Sequence, residues 1–213
     1  MQFHELLEIV RQEPVFDTGL LLAGPVDPKH VRQQLSRWVK TGKIYQLRRG
    51  LYSLAPPYQK APPHPFLVAN RMVRASYASL QSALAHYGLI PEAVPVTTSV
   101  TTGRPGRWET PLGVFEFQHV QPGLFFGYDS INLTGGQSAF VARPEKALLD
   151  LVYLTPGSDD PAYLGELRLQ NLERLDLQAL DEIAARAGKA KLRRAAAIIA
   201  GLRAEEAAEY EDL

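Results

Sequence analysis

The residues best suited to chemistry lie between positions 27 and 49, where seven cations, Lys29, Arg32, Arg37, Lys40, Lys43, Arg48 and Arg49, stand against Asp27 alone. Such a density of fixed positive charge favours a polyanion. Arginine grips the guanine edge through two hydrogen bonds, glutamine does the same for adenine, and lysine neutralises phosphate. Wound as a helix at about 100 degrees per residue, the segment after Asp27 sends Val31, Leu35, Trp38 and Val39 to one face and Lys29, Gln33, Ser36, Arg37 and Lys40 to the other. The first face is core. The second carries the residue types that read duplex DNA in the major groove. Lys29, His30, Gln33 and Arg37 are the base-reading candidates, and Arg32, Lys40 and Lys43 suit backbone contacts. Arg48 and Arg49 extend the charge into a hairpin tip that can reach phosphates or an adjacent minor groove. A cationic helix face is also what ordinary solvated surface looks like. The basic hairpin directly behind it, in an otherwise neutral chain, turns the reading towards DNA.

Bond-making chemistry finds no comparable cluster. With no cysteine there is no disulfide framework, thiolate zinc site or cysteine nucleophile. The chain contains no His-Glu-x-x-His helix, no phosphate-binding Gly-Lys-Ser/Thr loop and no Gly-x-Ser-x-Gly elbow. Glu145-Lys146 lacks the intervening residue of a nuclease Glu-x-Lys. Gly103, Arg104, Pro105, Gly106 and Arg107 are explained by a β-turn without a ligand. His64, His86 and His119 stand singly and suit surface or satisfied core. The expectation is no catalytic residue, no metal and no cofactor.

The elements that must position the basic face follow from local signals. Phe3, Leu6, Leu7 and Val10 recur on one face of a first helix, which Pro14 ends. Asp17 caps a short helix carrying Leu20 to Leu22, closed by Gly24 and Pro25. Asp27 caps the basic helix with Pro28 at its first position, and Gly42 stops it. Residues 44–47 and 51–54 read as strands around Arg48, Arg49 and Gly50. Three helices and a basic-tipped hairpin make a winged helix-turn-helix over 1–55. Pro56, Pro57, Pro62, Pro63 and Pro65 then give a stiff linker over 56–66.

Beyond it, residues 79–87 read as a helix stopped by Gly88. Segments 94–102 and 114–120, rich in Val, Thr and Phe, are expected to pair as a hairpin. Further strands are expected near 124–128, 131–133 and 138–142. Helices are expected from Pro144 to Leu154, over 176–187 and over 191–208, with Lys146 and Asp150 as a weak surface ion pair. Arg104, Arg107, Arg143, Lys146, Arg168, Arg174, Arg186, Lys189, Lys191, Arg193 and Arg194 also mark this half. The last five crowd a helix boundary, where they can face an acidic protein, more DNA or solvent.

Of 213 residues 46% are hydrophobic, so the chain can bury a core in one or two domains. A formal net charge of zero hides the basic window, which Glu205, Glu206, Glu209, Glu211 and Asp212 balance. No stretch approaches the roughly 20 apolar residues of a membrane span, and the first ten residues lack a signal-peptide core. The expectation is a cytoplasmic protein with no membrane partner.

Gly42-Lys43-Ile44-Tyr45 through Arg48-Arg49-Gly50-Leu51-Tyr52, then Ser79-Leu80-Gln81-Ser82-Ala83-Leu84 with Tyr87-Gly88-Leu89, then Pro144-Glu145-Lys146-Ala147-Leu148-Leu149-Asp150 carry a family likeness. In this order and at these separations they resemble the AbiEi antitoxin family, the regulatory half of abortive-infection toxin-antitoxin modules. Where the family more usually has His before Gly88, this chain has Tyr87, with His86 one place earlier. The resemblance implies an α+β protein: an N-terminal winged helix-turn-helix, then a mixed α/β antitoxin-like domain over 67–213. It implies an autorepressor whose partners are the duplex DNA of its own promoter, read at repeated half-sites, and a nucleotidyltransferase-type toxin. The alternative is a stand-alone one-component transcriptional regulator whose second domain senses a small ligand or a protein.

Overall fold

Asp17, Asp27, Asp160 and Asp176 each turn a carboxylate oxygen onto a backbone N–H one turn into a helix, those of Leu20, Lys29, Ala162 and Gln178 respectively. Proline follows Asp27 and Asp160 at the first helical position. These caps punctuate a chain whose computed structural model describes residues 1–91 and 94–211. In order the elements are α1 (Phe3–Val10), β1 (Phe16–Asp17), α2 (Thr18–Leu21), α3 (Pro28–Lys40), β2 (Ile44–Arg48), β3 (Leu51–Leu54), α4 (Pro65–Met72), β4 (Ser76–Ala78) and α5 (Leu80–His86). There follow β5 (Val96–Thr101), β6 (Gly106–Thr110), β7 (Gly113–His119), β8 (Tyr128–Asn132), β9 (Ser138–Ala142), α6 (Pro144–Leu154), α7 (Pro161–Glu166), α8 (Leu177–Ala187) and α9 (Ala190–Glu211). The fold class is α+β.

The first three helices pack on an antiparallel sheet of order β1-β3-β2. Leu6, Val10, Phe16, Leu21, Val31, Leu35, Trp38, Ile44 and Leu54 meet in one buried cluster. Strand β1, paired with β3 as Phe16↔Tyr52 and Asp17↔Leu51, was not anticipated; two residues carry no alternation to detect. The β2–β3 turn closes at Gly50, whose φ of 80° is one that side chains disfavour.

The larger sheet has the order β6-β7-β5-β4-β9-β8. The expected hairpin between 94–102 and 114–120 is overturned: β5 and β7 are neighbours but parallel, from Val96↔Val114 to Thr101↔His119. The chain reaches β7 through β6, and the antiparallel pair is β6–β7, from Gly106↔Phe117 to Thr110↔Gly113. Val, Thr and Phe suit either direction, so composition left the sense of pairing open. Gly106 is needed here because a Cβ would lie 2.6 Å from the Trp108 ring, which stands edge-on to Phe117 at 5.2 Å. The strand expected near 124–128 is also corrected. A 3-10 turn occupies Pro122–Leu124, and β8 begins only at Tyr128. Helix α7 was likewise not anticipated.

Helices α5, α6, α8 and α9 and the sheet close the main core around Tyr77, Leu84, Val141, Leu148, Leu180 and Ile199. Helix α9 takes in the acidic C-terminal run as far as Glu211, and Glu206 accepts the Leu172 N–H at 2.9 Å. Asp212 lies outside the described residues. Among the described residues no helix is long and apolar enough to cross a membrane.

Helix α4 begins at Pro65, inside the stretch expected as linker. It anchors a third cluster in which Val15, Leu47 and Leu51 pack with Val68, Ala69 and Met72 and with Phe115 and Phe117 of β7. Gln137, itself buried, ties down the connector by accepting the His64 N–H at 2.8 Å and donating to the Pro62 carbonyl at 2.9 Å. His64 caps α4, its Nδ1 accepting the Phe66 N–H at 3.1 Å.

Burial first, and nearby His86 second, push the His64 imidazole below its ordinary 6.5. A protonated Nδ1 cannot accept, so acid opens this cap. Because the folded value is depressed, the unfolded chain binds the proton first as pH falls below about 6.5. Stability held at neutral pH is therefore expected to decline from there downward. Urea midpoints between pH 7.5 and 5.5 should fall less for His64→Gln than for the wild type. Parallel midpoints would show that His64 contributes nothing to the slope.

Candidate nucleic-acid interface

Capping by Asp27 and burial of Val31, Leu35 and Trp38 fix which way α3 turns. Lys29, His30, Arg32, Gln33, Ser36, Arg37 and Lys40 are all exposed, so the structure brings seven of the candidate residues together on one helix. Among the described residues none of Lys29, Arg32, Arg37 and Lys40 has an ion-pair partner. Their donors are left to solvent or to a ligand. Thr41 secures the end of the helix by donating its N–H and hydroxyl to the Arg37 carbonyl, each at 3.0 Å.

The hairpin cations divide. Lys43 is half-buried, its ammonium 4.6 Å from the centre of the Phe3 ring. Arg49 is exposed at the turn. Arg48 instead donates to the Met72 carbonyl and lies 5.6 Å from the Trp108 ring centre. Its guanidinium faces the second sheet, and the sequence held no signal for this because both acceptors are distant along the chain.

Most of the basic cluster expected near the α8–α9 boundary is also spent internally. Arg186 covers the Phe126 ring at 3.9 Å, Arg194 pairs with Asp159 at 2.6 Å, and Lys191 donates to the Thr155 carbonyl. Arg143 holds Asp129 at 2.7 Å and draws that carboxyl below the usual carboxylate range.

The feature that sequence reasoning missed lies in the core. Lys146 and Asp150, expected as a surface pair, are an ion pair with both side chains buried. Lys146 also donates to the Tyr77 hydroxyl at 2.9 Å, and Asp150 accepts from Tyr77 at 2.9 Å and from Ser79 at 2.8 Å. Glu145, buried beside them, accepts the Asp176 N–H at 2.8 Å and so pins the start of α8. Burial pushes the Asp150 carboxyl up, while Lys146, Ser79 and Tyr77 pull it back. Burial and the adjacent Asp150 carboxylate push the Tyr77 phenol up as well, keeping it a donor. A signal did exist: Ala147, Leu148, Leu149, Leu151 and Val152 surround the pair on α6 and leave it no polar face.

The void beside this network measures about 10 Å³, too small for a substrate. Its polar groups satisfy one another, and they serve packing. Among the described residues no three His, Asp or Glu side chains converge as a metal site requires. The candidate interface is the exposed face of α3. No protein-family model matches the chain, and no curated protein matches it.

Proposed function

We propose that this protein is a transcriptional regulator that binds duplex DNA through a winged helix-turn-helix at its N-terminus, with α3 as the reading helix. The observation that supports this reading is the exposed face of α3, where four cations without ion-pair partners accompany His30, Gln33 and Ser36 over a buried apolar face. In this reading Lys29, His30, Gln33 and Arg37 contact base edges, and Arg32, Lys40, Lys43 and Arg49 contact phosphates. Arg48 ties the hairpin to the second sheet.

The resemblance of the three sequence motifs to the AbiEi family extends the proposal to a cytoplasmic autorepressor that is the antitoxin of an AbiE-like module, countering a nucleotidyltransferase-type toxin through the region after residue 66. Two of the three motifs behind that likeness feed the buried Ser79, Lys146 and Asp150 network, so a toxin would meet other residues. A one-component regulator sensing a small ligand is the second reading, favoured by an arginine-walled cleft between the two sheets.

A gel shift on the DNA immediately upstream of the protein's own gene, at fixed salt and with unrelated DNA as competitor, tests the proposal. Retention that survives the competitor is expected. Retention that the competitor removes in proportion to its mass would leave α3 as plain surface.

A further inference from the structure

The cleft that favours the second reading has a volume of about 950 Å³, within the range of small-molecule sites, which run to about 1,000 Å³. One wall is the hairpin tip with the start of α2, the other is α4 and the turn after it, and the floor is the outer face of β8 and β9. Arg48 and Arg49 come from the first wall, Arg71 and Arg74 from the second, against Asp17 as the one carboxylate among the lining residues.

These arginines are unequally committed. Arg48 is held by the Met72 carbonyl and Trp108, and Arg71 donates one nitrogen to the Val15 carbonyl at 3.2 Å. Arg74 is 91% exposed and comes only within 3.9 Å of Asp17, whose other oxygen caps α2. Arg49 is exposed at the tip. Four arginines line this one cleft against a single carboxylate, an excess of positive charge that favours an anion. Planar forks on both walls can take the oxygens of a phosphate bidentately.

The floor adds a second element. Phe140 is 47% exposed, unusual for so large an apolar side chain, and it lines this cleft. Its ring meets Tyr128 edge-on at 5.8 Å, so it is braced from the side. Alternation along β9 explains the placement, since Ala139 and Val141 enter the main core while Ser138 and Phe140 point away from it. An exposed aromatic face beside a set of phosphate donors is the combination that receives a nucleotide, its base stacked and its phosphates gripped.

We infer that this cleft binds a nucleoside phosphate, with Arg49, Arg71 and Arg74 on the phosphates and Phe140 under the base. Binding here does not depend on α3 reading DNA, and Arg71 and Arg74, unlike Arg49, have no part in the proposed DNA contact, so substitutions at those two let the proposals fail separately.

Titration calorimetry of the full chain with ADP, and separately with inorganic pyrophosphate, tests it. Saturable binding of both is expected, tighter for ADP. Arg71→Gln/Arg74→Gln, both at exposed positions, should weaken each ligand at least about ten-fold. Phe140→Ala should weaken ADP by about ten-fold and leave pyrophosphate unchanged. The inference is overturned if neither ligand binds, if the arginine pair leaves binding intact, or if Phe140→Ala affects both ligands alike. It is also overturned if ADP fails to bind while the arginine pair lowers affinity for duplex DNA, which would assign the cleft to the DNA backbone.

Discussion

Lys146→Met is expected to destabilise the folded protein by about 3–5 kcal/mol, the cost of leaving one member of a buried ion pair without its partner. Asp150 would keep its bonds from Tyr77 and Ser79 but lose its paired cation, in surroundings that already penalise its charge. The Met side chain fills the space of the Lys stem, whose carbons lie against Gly127, so packing loss is small and the effect is chiefly electrostatic. Lys146→Met/Asp150→Asn removes the orphaned charge while retaining a carbonyl acceptor for the hydroxyls. It should recover more than half of the lost stability. Urea denaturation of the two single variants and the double variant forms the cycle that isolates the pair. A loss below about 1 kcal/mol in the single Lys variant would show that no uncompensated charge is left on Asp150 and would overturn this expectation.

Arg37→Ala is the second large effect expected, and it concerns the proposed function. The side chain is exposed and its removal leaves the Arg37 carbonyl and its two bonds from Thr41 untouched, so α3 should remain folded. If Arg37 grips a base edge, its loss costs about 1–3 kcal/mol of discrimination, or roughly five- to 150-fold on the promoter. Binding to unrelated DNA should fall far less. The measurement is the ratio of promoter to random-duplex affinity at matched salt, with thermal melting to confirm folding. An unchanged ratio with lower affinity for both would move Arg37 to the phosphate backbone. No change in either would remove it from the interface.

Much of the N-terminal half was legible because its signals are local. Asp17 and Asp27 cap the helices that their positions announce, and Ile44 to Leu54 form the hairpin expected of two short apolar runs about Gly50. Distant contacts decided what was not legible. Strand β1 exists only because Phe16 and Asp17 meet β3, and β5 runs parallel to β7 although its composition suits either sense. Arg48 finds the Met72 carbonyl 24 residues away, and Lys146 finds Tyr77 69 residues away. Phe140 and Arg74 drew no attention in the sequence because each is unremarkable alone. Tertiary placement brings them to one cleft.

The cluster that joins Val15, Leu47 and Leu51 to Met72, Phe115 and Phe117 has a mechanical consequence. Swivelling the first three helices about residues 56–64 would expose those side chains, at about 1.5–3 kcal/mol for each large apolar group fully uncovered. The proline-rich segment is consequently bypassed by a splint, and it does not act as a universal joint. In the proposed regulator the pitch of α3 relative to the rest of the body is set during folding. Two molecules on neighbouring half-sites would meet at a fixed angular phase, so an insertion of half a helical turn between those sites would have to be absorbed by torsion of the DNA.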